Sequence, residues 1–125
     1  MIKNVLGFLG LFPLDVVGVL PHMHLLGKEI RMDRVSPSGE VTPMVRIDNW
    51  DFDWQSTYYY VEPVPLHAED RLEVVAIYDN SSGNPNNPND PPIPVSWGER
   101  TEDEMCIVFF LVEVPDLCVF GLCPN

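Results

Sequence analysis

Basic side chains are scarce. Seven Lys and Arg stand against 19 Asp and Glu in 125 residues, a formal net charge of −12. So acidic a surface repels phosphate backbones and anionic headgroups, which excludes nucleic acid and anionic membrane surfaces as partners. No apolar run reaches the 18 or so residues that a spanning helix needs, so no membrane span is predicted. Helical periodicity of any length is missing too. The 13 prolines are about twice ordinary usage, and each costs about 3 kcal/mol inside a helix, so a helix-rich fold is excluded. Cysteines number only three, Cys106, Cys118 and Cys123. An odd count leaves one free thiol beside one pair, or a partner outside the chain, and Cys118 with Cys123 can close a small terminal loop. The spacing lacks the second pair that a zinc site requires.

What is present is a core and a strand pattern. Hydrophobic residues make up 46% of the chain, enough to fold one domain. Residues 1–15 read as a lead-in or the stub of a truncated chain, because Pro13 and Asp15 interrupt a short apolar run without a small-residue cleavage site. Residues 16–26 are β-branched and apolar enough for a strand. Residues 28–35 and 41–47 flank Ser36-Pro37-Ser38-Gly39 and predict a hairpin. Trp50, Phe52 and Trp54 alternate with Asp51, Asp53 and Gln55, which predicts a further strand with the aromatics in the core. Residues 57–61 are β-rich, with Pro63 and Pro65 as breakers. A turn at residues 67–70 precedes a strand at 71–78. Residues 79–94 form a polar, proline-rich loop whose Asp and Asn residues lack EF-hand spacing. Residues 104–114 are the last strand. The pattern predicts an all-β antiparallel β-sandwich, jelly-roll-like, over residues 16–114, with a tail at 115–125.

Histidine is as scarce as cysteine, and two of the three form His22-Met23-His24. In a strand, positions i and i+2 project to one face, which sets two imidazoles about 7 Å apart, within reach of one metal. A third ligand has to come from His67, Met105, a cysteine or a carboxylate. A thioether with two imidazoles suits copper, and Cu(I) in particular. Read without a metal, Met105 is a core methionine, His67 a surface turn residue, and Asp103 and Glu104 solvated or hydrogen-bonding carboxylates.

The chain resembles the C-terminal domain of the copper type II, ascorbate-dependent monooxygenases, the family of peptidylglycine α-hydroxylating monooxygenase and dopamine β-hydroxylase. The residues that carry the resemblance are Pro21-His22-Met23-His24-Leu25-Leu26-Gly27-Lys28 and Trp50-Asp51-Phe52-Asp53-Trp54-Gln55. Tyr78-Asp79-Asn80-Ser81, Asn84-Pro85-Asn86-Asn87-Pro88, Trp97-Gly98-Glu99-Arg100-Thr101 and Asp103-Glu104-Met105-Cys106 follow in the same order. The pattern looks most like the bacterial branch. The resemblance implies an antiparallel β-sandwich and one copper per chain held by His22, His24 and Met105. It also implies dioxygen and an organic substrate as reaction partners, ascorbate or another electron donor, hydroxylation of a C–H bond, and an exported setting, periplasmic or extracellular.

Departures from the family pattern narrow those implications. The family's electron-storing copper sits on three histidines of a preceding domain, and here only His67 remains, so that domain would be supplied in cis or in trans. The Arg with which peptidylglycine enzymes anchor the substrate carboxylate corresponds to Leu20. Their Asn and Tyr on the strand after the Met correspond to Ile107 and Phe109. A peptidylglycine substrate is therefore not expected. The cysteine partner of the residue after the Met corresponds to Ala76, leaving Cys106 free or paired with Cys118 or Cys123. Two other readings remain: a non-catalytic copper-binding module or decayed fragment, and a β-sandwich interaction domain without metal.

Overall fold

The computed structural model describes residues 12–113. Six strands follow one another: β1 (Leu14–Met23), β2 (Gly27–Val35), β3 (Val41–Ile47), β4 (Tyr58–Leu66), β5 (Arg71–Tyr78) and β6 (Cys106–Glu113), with no helix among the described residues. They form two antiparallel three-stranded sheets, ordered β4-β1-β6 and β3-β2-β5. Only β2 and β3 are a hairpin within one sheet; every other connection crosses between sheets. The β2–β3 turn closes through the Gly39 N–H on the Ser36 carbonyl (2.9 Å), with Gly39 at φ 87°, a conformation that favours glycine.

The sheets pack face to face because alternate residues of each are apolar. Leu14, Val16 and Val19 of β1 meet Met32 of β2, Met44 of β3 and Leu66 of β4 in one buried cluster. Met23, Ile30 and Trp50 form a second cluster, joined by Ala76, Cys106 and Val108. The expected antiparallel β-sandwich is therefore the observed architecture. At the β4–β5 corner, Asp70 accepts the His67 backbone N–H (2.9 Å) and lies 3.9 Å from Arg34 Nε of β2. The hydrogen bond from His67, with Arg34 nearby, holds the Asp70 carboxyl below its usual range despite its burial.

Three expectations change. Pro63 and Pro65 do not break β4, which runs to Leu66: β4 is an edge strand, where a missing N–H is tolerated. Pro21 lies in central β1, but beyond Val19, the last β1 residue paired with β4. Residues 50–54 are not a strand. Trp50 is buried, but the chain then turns, with the Trp54 N–H on the Asp51 carbonyl (3.1 Å), and Trp54 is left 77% exposed. The alternation there reflects a turn that sends one aromatic inward, not a pleat. The boundaries of β1 and β6 also shift, so that His24, Glu104 and Met105 lie just outside the strands. The tail at 115–125, most of the lead-in at 1–15, and the Cys118 and Cys123 pairing lie outside the described residues.

At Gly18 the β1–β4 register slips, and a Cβ there would stand 2.9 Å from the Tyr58 carbonyl oxygen. Gly18→Ala is expected to destabilise the fold by about 1–3 kcal/mol in chemical denaturation. Val61→Ser, at a side chain 97% exposed, is expected to stay within about 0.5 kcal/mol. Equal effects would contradict the close β1–β4 approach.

Candidate functional site

Three segments meet at one end of the sandwich: the end of β1 with its turn into β2, the turn that follows Trp50, and the approach to β6. Alternation along β1 sends Met23 into the core and leaves His22 on the outer face, half-buried. His24, one residue past the strand, is only 4% exposed. The two imidazoles lie with ring centroids 5.0 Å apart and planes at 81°, closer than the spacing of a flat strand because His24 has left the pleat. Phe52 packs edge-on to the His24 ring at 6.2 Å.

Each ring is oriented through Nδ1. His22 Nδ1 lies 2.6 Å from Gln55 Oε1, and Gln55 Nε2 donates to the Phe52 carbonyl (2.7 Å), which fixes the amide so that its oxygen faces the imidazole. His24 Nδ1 lies 3.0 Å from the Asp103 carbonyl oxygen, which can only accept. Both Nδ1 atoms are therefore donors, and in the neutral imidazoles both Nε2 atoms keep a lone pair. This is the arrangement that metal-binding histidines show, one ring nitrogen held by an oxygen and the other free to coordinate.

Met105 comes to the same place through its backbone. Glu104 Oε1 accepts the Leu26 N–H (2.7 Å), and Glu104 Oε2 accepts the N–H groups of His24 (3.3 Å) and Met105 (3.2 Å). One carboxylate thus ties the turn after β1 to the segment before β6. Met105 is half-buried and lies outside β6, which starts at Cys106 and not at residue 104 as the sequence pattern predicts. Its carbonyl accepts the Tyr78 hydroxyl (3.2 Å), and burial pushes the Tyr78 phenol up to about 12. Asp103 is gripped by the Arg100 guanidinium through Nε (3.0 Å) and Nη2 (2.8 Å), which holds its carboxyl below the usual range.

Two other candidates for a third ligand, His67 and Cys106, lie elsewhere. His67 follows Leu66, which pairs with Leu14; His22 is eight residues further along β1, about 26 Å at roughly 3.3 Å per residue. Cys106 pairs with Met23 and packs with Ala76 against the core, away from the His22 face, and burial pushes its thiol up. It forms no disulfide among the described residues. No group of three His, Cys, Asp or Glu side chains able to hold a metal occurs among the described residues, so a ligand set built on the two histidines needs a different third donor. Gln55 is the residue whose role the sequence conceals, since alternation places it on a strand face. Glu104 reads from the sequence as a solvated or hydrogen-bonding carboxylate, and the fold supplies its three backbone partners.

Glu104→Ala leaves three backbone N–H groups without their acceptor. It is expected to cost about 1–3 kcal/mol of stability and to speed amide exchange at Leu26 and Met105. Glu102→Ala, at an exposed neighbour, should change neither. Unchanged exchange in Glu104→Ala would contradict the clamp.

Against known proteins, a family model described as copper type II ascorbate-dependent monooxygenase, C-terminal domain, matches residues 9–115. No curated protein matches the chain.

Proposed function

The chain belongs to the family of copper type II ascorbate-dependent monooxygenase C-terminal domains, and from that premise we propose that it is the substrate-side copper domain of an O2-dependent monooxygenase that hydroxylates a C–H bond. His22, His24 and Met105 are the proposed ligands of one copper per chain. The observation that carries this reading is the pair of adjacent imidazoles with both Nδ1 atoms given to oxygen acceptors, so that two Nε2 lone pairs serve one metal. Two imidazoles and a thioether fit copper, and the soft thioether favours its reduced state. When bound, copper supplies one-electron redox chemistry and the activation of dioxygen.

The chain's own residues position that chemistry. Gln55 fixes the His22 ring, the Asp103 carbonyl fixes His24, and Glu104 holds Met105 beside them. The substrate side is apolar. The β1–β6 register sets His22 opposite Ile107 and Leu20 opposite Phe109, so these three apolar residues share the His22 face. No guanidinium stands at Leu20 to hold a carboxylate, which argues for a substrate other than a peptidylglycine. The electron donor is ascorbate or another reductant. A second, electron-storing copper domain acts in cis or in trans, because the remaining histidine, His67, lies at the opposite end of β1. An exported compartment, periplasmic or extracellular, suits copper and dioxygen.

His67's position also favours a second reading, a copper-binding module without turnover, which shares the ligands but lacks hydroxylation even when a reductant is supplied. Competition titrations of the purified chain with a chromophoric chelator test the ligand set common to both. His22→Ala and His24→Ala should abolish stoichiometric binding. Met105→Ala should weaken Cu(I) more than Cu(II). Gln55→Ala should weaken copper by about 10–100-fold through its effect on His22. Undiminished Cu(I) affinity in either His22→Ala or Met105→Ala would sink the assignment.

A further inference from the structure

A cavity of about 370 Å³ opens beside the 103–105 segment, walled by Leu26, Tyr78, Val95, Trp97, Glu104 and Cys106. That volume lies within the roughly 300–1,000 Å³ of small-molecule sites. It is separate from the apolar strip beside His22. Cys106 belongs to the core-facing side of β6, whereas Ile107 and Phe109 belong to the other.

Most of the polar groups around the cavity already have partners. The Tyr78 hydroxyl donates to the Met105 carbonyl (3.2 Å). Asn80 Nδ2 donates to the Ile93 carbonyl (2.9 Å), and its Oδ1 accepts from Asn87 (2.9 Å). The Ser96 carbonyl accepts the Glu104 N–H (3.0 Å), and the Glu104 carboxylate takes the N–H groups of His24, Leu26 and Met105. These bonds also brace the walls: Asn80 ties the start of the 79–94 loop to its end, and the Trp97–Glu104 bridge fixes the segment carrying the indole. The cavity is preformed, so a ligand does not have to order it.

What it still offers is mainly apolar and aromatic surface, with the Ser96 hydroxyl and the Trp97 indole N–H as its remaining polar groups. Trp97 is 69% exposed and lines the cavity, as does Tyr78. The one charged lining residue is Glu104, in a chain of net charge −12. We propose that this cavity is a binding site for a flat aromatic ring that carries no negative charge, held by Trp97 and Tyr78. The site needs no metal.

The test uses the metal-free 125-residue chain, titrated with benzyl alcohol and, separately, with benzoate, its near-isosteric anion, while backbone amide shifts are followed. Benzyl alcohol should produce saturable shifts at Leu26, Tyr78, Trp97 and Met105. Benzoate should bind at least about tenfold more weakly because of Glu104. Trp97→Ala should weaken benzyl alcohol at least about tenfold, with Trp97→Phe restoring it and Trp54→Ala leaving it unchanged. Absent or non-saturating shifts, benzoate binding as tightly as the alcohol, or a Trp97→Ala variant that binds like the parent would each overturn the proposal. Failure of copper binding leaves this result untouched, since the titration contains none.

Discussion

The Glu104 carboxylate is the joint on which this end of the molecule depends. Its two oxygens take backbone N–H groups from His24, Leu26 and Met105, residues some 80 positions apart in the chain. Neither the turn after β1 nor the segment before β6 belongs to one of the two sheets, and only the isolated Trp97–Glu104 bridge pairs the latter. An ionised acceptor bonded to several amides is among the stronger bonds available to such backbone. From that one anchorage follow the Asp103 carbonyl against His24 and the position of Met105.

Beneath this joint the sandwich supplies stiffness. His22 lies on the outer face, Met23 in the core, and buried His24 just past the strand, so the candidate ligands inherit their placement from the packing of Met23 against Ile30 and Trp50. Gly27 shows how close that packing is: a Cβ there would stand 2.8 Å from Trp50 and 2.9 Å from Met23. Trp50 also begins the turn that carries Phe52 to the His24 ring and Gln55 to the His22 ring. Core and site are thus built from alternate residues of the same segments, and a site placed on such supported elements holds its geometry better than one on free loops.

Much of this was legible in the sequence. The strand segments at residues 28–35, 41–47 and 71–78 are β2, β3 and β5 to within a residue, the Ser-Pro-Ser-Gly turn marked the hairpin, and the His-x-His spacing pointed to paired imidazoles. What was not legible depended on tertiary context. The alternation of residues 50–54 looks the same whether the chain is pleated or turns after one buried Trp. Pro63 and Pro65 stop a central strand but not an edge strand, and local sequence does not say which β4 is. Glu104's acceptor role could not be read from its neighbours, because its partners His24 and Leu26 lie far away in the chain. Gln55 carried a weak signal, its place in the Trp50–Gln55 block that resembles the family, but the turn that aims it at His22 shows only in the fold.

Whether His22, His24 and Met105 together hold one copper is read most directly by X-ray absorption at the copper edge on the chain loaded with Cu(I). One copper per chain is expected, with two nitrogen ligands and one sulfur at thioether distance, and the sulfur signal lost in Met105→Ala. Substoichiometric copper, or sulfur that persists in Met105→Ala and disappears when Cys106, Cys118 and Cys123 are replaced, would contradict this assignment.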